Sequence, residues 1–217
     1  MNKKITTIMA VYNGEKYLAE AIESVLSQTH SSDEIIVIND GSTDATADIL
    51  NNYPELIVQT NTNQGMWKSL NQGISMATGE YLTFIDHDDL WHKDKNKLQL
   101  EHLQTSDIEM SFCYIQNFTK INGHLEYADK QVVATQAGIF IEKSKFMDVG
   151  YFGTSLVAES MLWFQKARLM GLRQECLVDV LAYRRVHETN MTRGRAYNDG
   201  LVDVARELIR QRKFFNK

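Results

Sequence analysis

The first ninety residues alternate short apolar runs with stretches of helical periodicity, and this alternation limits the possible folds more than any other feature. Four runs are rich in β-branched residues and bounded by polar or turn residues, as buried parallel strands are. They span residues 5–11, 34–38, 56–59 and 81–85. Between them, apolar residues recur at helical spacing, as from Tyr17 to Leu26 and from Met66 to Ala77. Repeated β-α-β units with short connections predict an α/β fold, with a doubly wound, mostly parallel sheet and helices on both faces.

The second half of the chain has a different pattern. Residues 108–118 alternate polar and apolar positions, which is typical of a half-exposed strand, and Asn122-Gly123 predicts a hairpin turn after it. Residues 136–146 are interpreted as a further strand and a turn, and residues 177–183 as a strand. Helices are predicted over residues 156–170 and 198–215, and Ser42 is predicted to cap a short helix that ends at Ile49. We therefore expect a small antiparallel extension beside the parallel strands.

Size and composition limit the classes of protein. A chain of 217 residues with 43% hydrophobic and 24% charged residues suits one globular domain. Its net charge of -5 provides no broad cationic field for nucleic acid. Cys113 and Cys176 form no CxxC pair, which favours a reducing compartment, and we expect the cytoplasm. No apolar run reaches the about 18 residues of a membrane span, and the "MNKK" start is interpreted as leading into a strand.

Polar clusters follow the four predicted strands: "YNGE", "NDGSTD", "NTNQG" and "DHDD". The carboxyl ends of parallel strands meet at one edge of a sheet, so these clusters should share a crevice. Asp86, Asp88 and Asp89 are crowded enough to need a cation or full solvation. Carboxylate oxygens favour Mg or Mn, whereas zinc, suggested by His87, prefers nitrogen and sulfur ligands. A lone D-x-D is more often a solvated loop with a cap residue, but its place at the end of the fourth strand favours a metal site.

Five blocks, in this order, resemble family 2 glycosyltransferases: "MAVYNGEKYLAEAIESVLSQT", "IIVINDGSTDAT", "NQGMWKSLNQGI", "ATGEYLTFIDHDDLW" and "AESMLWFQKARLMG". The resemblance implies the nucleotide-sugar-binding GT-A fold in a single domain over residues 1–217. Residues 1–105 would form the nucleotide-sugar half, 106–192 the acceptor-side half with the antiparallel extension, and 193–217 a C-terminal helix. The resemblance also implies Mn- or Mg-dependent transfer of a sugar, favouring a UDP-sugar donor, to an acceptor hydroxyl with inversion.

The resemblance assigns roles to individual residues. The loop at Tyr12 and Asn13, with Asp40, would hold the base, Asp86 would face the ribose, and Asp88 would bind the metal. Arg185 and His187 match a family Arg-x-His motif near the diphosphate, where His187 is a further candidate metal ligand or, alternatively, part of a surface loop. The candidate contacts to the nucleotide sugar are Ala10, Tyr12, Asn13, Asp40, Gly65, Asn71, Asp86, His87, Asp88, Arg185 and His187. For Gly65 and Asn71, the start of a helix and a helix surface are equally good explanations.

The candidate catalytic base departs from the family pattern. Family members commonly carry Glu-Asp-x-Asp-Leu-Trp before a helix, and this chain has "AESMLW". Alignment on Leu162 and Trp163 places Glu159 at the position of the base, with a reach longer by about an ångström than that of aspartate. Alternatively, Glu159 only stabilises a helix N-terminus. Asp89 and Trp91 are candidates for the acceptor side, Trp91 by stacking on a sugar.

Other functions and partners remain open. The altered acidic pair at Glu159 and Ser160 allows a non-catalytic, accessory nucleotide-sugar-binding module of the same fold. A nucleotidyltransferase that makes the sugar nucleotide is the least favoured alternative. Such enzymes usually carry a glycine-rich phosphate loop after the first strand, and "AVYNGEKY" contains only one glycine. The apolar stripe from Leu201 to Ile209 predicts packing on the domain or on a second subunit as a homodimer. The basic, aromatic end that follows could instead rest on the inner face of a membrane, which would suit a lipid-linked acceptor in place of a carbohydrate or protein.

Overall fold

The computed structural model describes residues 3–122, 124–131, 135–154, 157–190 and 195–215, without the side chains of 131, 195–199 and 211–215. The strands in these parts of the chain are β1 Ile5–Val11, β2 Glu34–Asn39, β3 Ile57–Thr60, β4 Tyr81–Asp86, β5 Leu90–Trp91, β6 Met110–Ile121, β7 His124–Gln131, β8 Phe140–Glu142 and β9 Gln174–Arg185. The helices are α1 Leu18–Leu26, α2 Thr46–Leu50, α3 Met66–Met76, α4 Lys95–Thr105, α5 Lys143–Val149, α6 Glu159–Leu169 and α7 Arg195–Phe215.

All of these strands belong to one sheet, in the order β3-β2-β1-β4-β8-β6-β9-β5, with β7 paired to β6. Strands β1 to β4 pair in parallel, as predicted. Strand β8 pairs antiparallel with both β4 and β6, and β6 pairs in parallel with β9. The predicted antiparallel extension therefore continues the same sheet.

Helices cover both faces of the sheet, which confirms the α/β prediction. Neighbouring residues of β1 point to opposite faces: Ile8 packs with α3, α5 and α6, while Met9 and Val11 pack with α1 and α2. Because both faces are covered, the central strands read as continuous apolar runs. Strand β3 is the exception, because it lies at the sheet edge with Ile57 43% and Val58 40% exposed. The prediction that it is buried was wrong.

Two local predictions also differ from the structure. The short helix α2 begins at Thr46 after Ala45, so Ser42 does not cap it. The Ser42 hydroxyl instead accepts the backbone N–H of Asn13 and joins the loops after β1 and β2. The turn expected after β8 is the helix α5, whose Phe146 and Val149 are buried.

Helix α4 was not predicted, because its buried face is polar. Lys95, Asn96 and Gln99 are fully buried there. The Lys95 ammonium donates to the Thr83 hydroxyl at 2.8 Å, and the Gln99 amide donates to two backbone carbonyls of the sheet layer. A helix that is held by such hydrogen bonds leaves no apolar stripe in the sequence.

The C-terminal helix α7 packs on the domain through Leu201, Val204 and Leu208, against Leu162 of α6 and the preceding Ala158. The expected packing within the chain is therefore confirmed. Among the helices described here, none combines the length and the apolar character needed to cross a bilayer. Gly123 of the predicted hairpin turn and residue 156, the predicted start of α6, lie outside the described residues.

Candidate active site

A cavity of about 700 Å³ opens where β1, β2 and β4 end, beside the segment that follows β9. Ala10 of β1 pairs with Asp86 of β4 at its floor. Ten of the residues predicted from the sequence line this cavity: Ala10, Tyr12, Asn13, Asp40, Gly65, Asp86, His87, Asp88, Asp89 and His187. The strand ends thus converge as expected. Asn71, Trp91, Glu159 and Arg185 are not among the lining residues.

The buried carboxylate of Asp40 organises one end of the cavity. Its Oδ1 accepts the backbone N–H of Gln64 at 2.9 Å, and its Oδ2 accepts that of Gly65 at 2.8 Å. Gly65 has a φ of 95°, a conformation that favours glycine, at the start of α3. Asp40 therefore fixes the loop between β3 and α3 against the end of β2.

The loop after β1 forms the adjoining wall. Asn13 adopts a positive φ of 52°, which asparagine tolerates better than most residues. Its backbone N–H donates to Ser42, and its side-chain oxygen accepts the N–H of Thr43 at 2.8 Å. These bonds leave the Tyr12 ring 46% exposed beside the cavity.

The carboxyl groups at the end of β4 are buried close together, and this disfavours their ionised forms. Burial first, and the charge of Asp88 second, raise the pKa of Asp86 to about 6, although Gln136 opposes this by donating to both carboxylate oxygens at 2.9 and 3.1 Å. Burial and the charges of Asp86 and Asp88 also raise the pKa of Asp89 well above its usual value. Burial lowers the pKa of the neighbouring His87. A cation at this point would offset the repulsion between the carboxylates.

His187 lies directly against Asp88. Its Nε2 is 2.9 Å from Asp88 Oδ2, and its Nδ1 is 2.8 Å from the Thr189 hydroxyl. The Asn190 amide nitrogen lies 3.2 Å from the same Asp88 oxygen and 3.0 Å from His187 Nε2. Two side chains of the segment after β9, those of His187 and Asn190, therefore converge on one carboxylate oxygen of Asp88.

The Asp88–His187 pair fits a divalent cation. An imidazole nitrogen and a carboxylate oxygen are both donors that Mn²⁺ accepts. Within the described part of the chain, no group of three or more His, Cys, Asp or Glu side chains is arranged to hold a metal ion. The remaining ligands would therefore be substrate or water oxygens, as is usual for ions bound together with a diphosphate.

Arg185 does not occupy the position predicted for it. Its guanidinium Nε donates to the backbone carbonyl of Asp88 at 2.8 Å, and its Nη2 pairs with Glu20 at 2.8 Å. The side chain is only 3% exposed, and its hydrogen bonds are directed at Asp88 and Glu20 and not into the cavity. Its neighbour Arg184 lines the cavity instead. Adjacent residues of a strand point to opposite sides, but the predicted strand ended at residue 183, so Arg184 and Arg185 could not be assigned to opposite sides before the structure extended β9 to Arg185.

The side chains of Asn71 and Trp91 also contact other parts of the protein and do not line the cavity. The Asn71 side chain donates to the Phe152 carbonyl at 2.8 Å and accepts the Phe152 N–H at 3.1 Å, so both ends of its amide hold the loop after α5. Trp91 is 5% exposed and packs in the core, with the Lys95 ammonium 4.2 Å from its ring centre. The expected nucleotide contact of Asn71 and the expected sugar stacking of Trp91 are therefore wrong, because both side chains face the protein.

Glu159 is the first residue of α6 and is 5% exposed. Its carboxylate lies against the backbone of Gly153, where an added Cβ would come within 2.2 Å of Oε2. Asn71 holds the residue before Gly153, so the candidate base rests on a loop fixed to α3. The structure places Glu159 beside this loop, outside the lining of the cavity.

The residues that sequence reasoning missed at the site include Tyr17, Gln136, Arg184 and Asn190. Gln136 and Asn190 reach the acidic cluster from segments 50 and 102 positions away. No motif marks the contact of Gln136, whereas Asn190 follows His187 of the Arg-x-His motif by three positions. Tyr17 had been assigned only to the apolar stripe of α1, but it precedes that helix and lines the cavity.

Comparison with known proteins relates this chain to sugar-transferring enzymes. The family model described as "Glycosyl transferase family 2" matches residues 6–161. An uncharacterized glycosyltransferase of Nostoc sp. (strain PCC 7120) is 41% identical over 110 residues, which cover 48% of this chain and 34% of that relative. The chain thus spans about a third of the length of this relative.

Two solved structures share the fold. S. aureus TarS 1-349 in complex with UDP-GlcNAc gives a TM-score of 0.77 with 24% identity, covering 94% of this chain and 66% of that one. The mannosyltransferase PcManGT from Pyrobaculum calidifontis, in complex with GDP-Man and Mn²⁺, gives 0.69 with 20% identity, covering 100% and 65%. At these identities the likeness establishes the architecture of the sheet and its helices.

Proposed function

The chain belongs to glycosyl transferase family 2, and from that premise we propose that it transfers a sugar from a nucleoside diphosphate sugar to an acceptor hydroxyl. The favoured donor is a UDP-sugar, the cofactor is Mn²⁺ or Mg²⁺, and the outcome is inversion. The observation that carries the proposal is the Asp88–His187 pair, 2.9 Å apart, in the same cavity as Asp40 and Asp86. The complexes of TarS with UDP-GlcNAc and of PcManGT with GDP-Man and Mn²⁺ support it.

The cavity provides groups of the right kind for each part of such a donor. Its volume of about 700 Å³ lies within the range of ligand sites. We assign the base to the end formed by Tyr12, Asn13 and Asp40, and the ribose to Asp86. Asp88 and His187 would hold the cation, and Arg184 on the cavity wall adds positive charge for the diphosphate.

For the transfer step we keep Glu159 as the candidate base, which requires the bound acceptor to reach its carboxylate beside Gly153, outside the lining of the cavity. The acceptor oxygen forms a bond to the anomeric carbon as the bond to the diphosphate oxygen breaks, and the nucleoside diphosphate leaves with that electron pair. The acceptor proton passes to the Glu159 carboxylate as general base. When bound, the cation supplies positive charge that stabilises the departing diphosphate. The acceptor is a carbohydrate, a lipid-linked sugar or a protein hydroxyl, which Asp89 at the cavity wall could contact.

The assignment of Asp88 is tested by titrating UDP and GDP calorimetrically, with and without Mn²⁺. We expect Mn²⁺ to strengthen UDP binding by the unaltered protein, and Asp88→Asn to remove about tenfold or more of that gain. Asp148→Asn provides the control, since Asp148 is exposed on α5. Equal UDP binding with and without Mn²⁺ would refute the metal assignment, and tighter binding of GDP would refute the UDP preference.

Catalysis is tested separately with Glu159→Gln. A transferase should lose about a hundredfold or more in turnover of its UDP-sugar, because the base is removed, and should retain UDP binding. Glu101→Gln, on the exposed side of α4, is the matched control. An unchanged rate would reject Glu159 as the base. An unaltered protein that binds UDP but turns over no UDP-sugar would favour the accessory module.

A further inference from the structure

Arg185 connects three segments of the chain behind the acidic cluster. Its backbone N–H donates to Asp89 Oδ1 at 2.9 Å, and its Nε donates to the Asp88 carbonyl at 2.8 Å. Its Nη2 pairs with Glu20 of α1 at 2.8 Å. Both the backbone and the side chain of Arg185 therefore fix the turn that carries Asp88.

The Arg185 guanidinium is also enclosed by aromatic rings. Its Cζ lies 4.6 Å from the ring centre of Tyr17 and 4.7 Å from that of Phe118. Tyr17 in turn contacts the His187 ring, with 4.8 Å between the ring centres. A planar guanidinium stacks on aromatic rings and forms hydrogen bonds along its edge at the same time, which a lysine ammonium cannot do. Through Tyr17, the same arginine is linked to the second member of the Asp88–His187 pair.

Glu20 secures the outer end of this arrangement. One of its carboxylate oxygens pairs with Arg185, and the other pairs with Lys120 of β6 at 2.8 Å. Lys120 first, and Arg185 as well, lower the pKa of Glu20 and keep it ionised at neutral pH. The contact is 42% exposed on the Glu20 side, so it can be altered without opening the core.

We propose that Arg185, held by Glu20 and Tyr17, is a positioning residue that keeps Asp88 and His187 together in a geometry ready to receive a cation. This inference rests on the proposed metal-dependent transfer. Asp88 and His187 lie 99 positions apart in sequence. Without a residue that holds them together, the two side chains would have to be brought together as the cation binds. Residues that orient metal ligands in this way raise metal affinity without contacting the ion.

The first test is hydrogen–deuterium exchange without ligand, measured on peptides that span residues 84–91. Glu20→Gln removes the charge that orients the guanidinium, and Arg185→Lys keeps the positive charge but loses the planar fork. Both variants should exchange faster in this segment, where the Asp89 N–H donates to the Asp86 carbonyl. The control is Glu23→Gln, on the same helix, where the carboxylate accepts the Tyr53 hydroxyl. Exchange equal to that of the control in both variants would overturn the proposal.

The second test is titration of Mn²⁺ in the presence of saturating UDP. We expect the Mn²⁺ dissociation constant to rise about tenfold in Glu20→Gln and Arg185→Lys, while UDP affinity without metal stays unchanged. Unaltered Mn²⁺ affinity in the variants would also overturn the proposal. If Arg185→Lys does not fold, the Mn²⁺ affinity of Glu20→Gln decides whether the proposal holds, because the Glu20 side chain is half-exposed. If the unaltered protein binds no Mn²⁺, the proposed metal dependence fails, and the exchange measurement alone decides the positioning role.

Discussion

At the scale of single residues, the carboxyl groups after β4 are buried and repel one another, and both effects move the pKa of Asp86 towards neutral pH. The pKa of Asp86 is raised to about 6 by burial and by the charge of Asp88, so at pH 6 the carboxyl group is protonated in about half of the molecules. A cation bound at Asp88 would favour the ionised form of Asp86. Binding of the cation and release of a proton should therefore be linked.

This linkage predicts how binding depends on pH. Affinity for Mn²⁺ with UDP should rise between pH 5 and pH 7, because below the pKa of about 6 the protonated Asp86 adds no negative charge beside a cation held at Asp88. Calorimetry at pH 6, in two buffers with different ionisation enthalpies, should show release of up to about half a proton per site from Asp86. The release should be smaller at pH 8. Equal heats in the two buffers at pH 6 would contradict this linkage.

At the scale of secondary structure elements, α4 is held to the sheet by a buried amine. The Lys95 ammonium contacts the Thr83 hydroxyl and the Trp91 ring, and burial lowers the pKa of Lys95 to about 8. Between pH 8 and the ordinary value of 10.5, the unfolded chain binds a proton that the folded chain has lost. Folding is therefore favoured as the pH rises through this window.

We expect Lys95→Met to remove this dependence on pH. In the unaltered protein, Lys95 should add at most about 3 kcal/mol to the free energy of unfolding between pH 8 and pH 10.5. Urea unfolding of Lys95→Met, compared with Lys97→Met on the exposed side of α4, isolates the contribution from other titrating groups. Parallel pH profiles for the two variants would show that the Lys95 amine is not the source.

The strands of the parallel half were predictable from the sequence for a physical reason. Strands β1, β2 and β4 are covered on both faces, so every position selects for apolar or β-branched residues, and the run itself reports burial. Helix α4 gave no such signal, because Lys95, Asn96 and Gln99 are buried by hydrogen bonding. Trp91 was misjudged for a related reason: its position after an acidic loop resembled a binding site, yet pairing of β5 with β9 buries it.

The candidate site was predictable only where local sequence forms it. The strands β1, β2 and β4 are followed within two positions by Tyr12, Asp40 and Asp88. The rule that strand ends converge is sufficient to group these residues. Gln136 and Asn190 arrive from elsewhere in the chain, through strand pairing in the second half of the sheet. Register between strands that are distant in sequence depends on the whole fold, so these contacts required the structure.

At the scale of the whole molecule, one apolar core joins the two halves that were distinguished in the sequence. The ring of Trp67 on α3 lies 5.3 Å from that of Phe152, which lies 5.8 Å from Trp163 on α6. Ile8 of β1 and Ile141 of β8 belong to the same cluster. We therefore propose that residues 1–105 and 106–192 form a single folding unit.

This proposal predicts one cooperative unfolding transition. Calorimetry, far-UV circular dichroism and tryptophan fluorescence should give the same midpoint, because Trp67 and Trp163 report on the two halves of one core. A chain that ends at residue 105 should fail to fold, since Leu82 and Phe84 of β4 would lose their apolar partners from the second half. Two separated transitions, or a folded fragment, would contradict a single unit.

The contacts of Asp88 with Arg185 and His187, which lie 97 and 99 positions later, also set an order during biosynthesis. As the polypeptide leaves the ribosome, the strands that carry Tyr12, Asp40 and Asp86 emerge first and pair through neighbouring segments. The segment that closes on Asp88, from Arg185 to Asn190, emerges only 97 to 102 positions after it. A product of premature termination before β9 would therefore carry the acidic turn without its partners, and competence to bind the donor would be acquired only once β9 and the residues after it have been made.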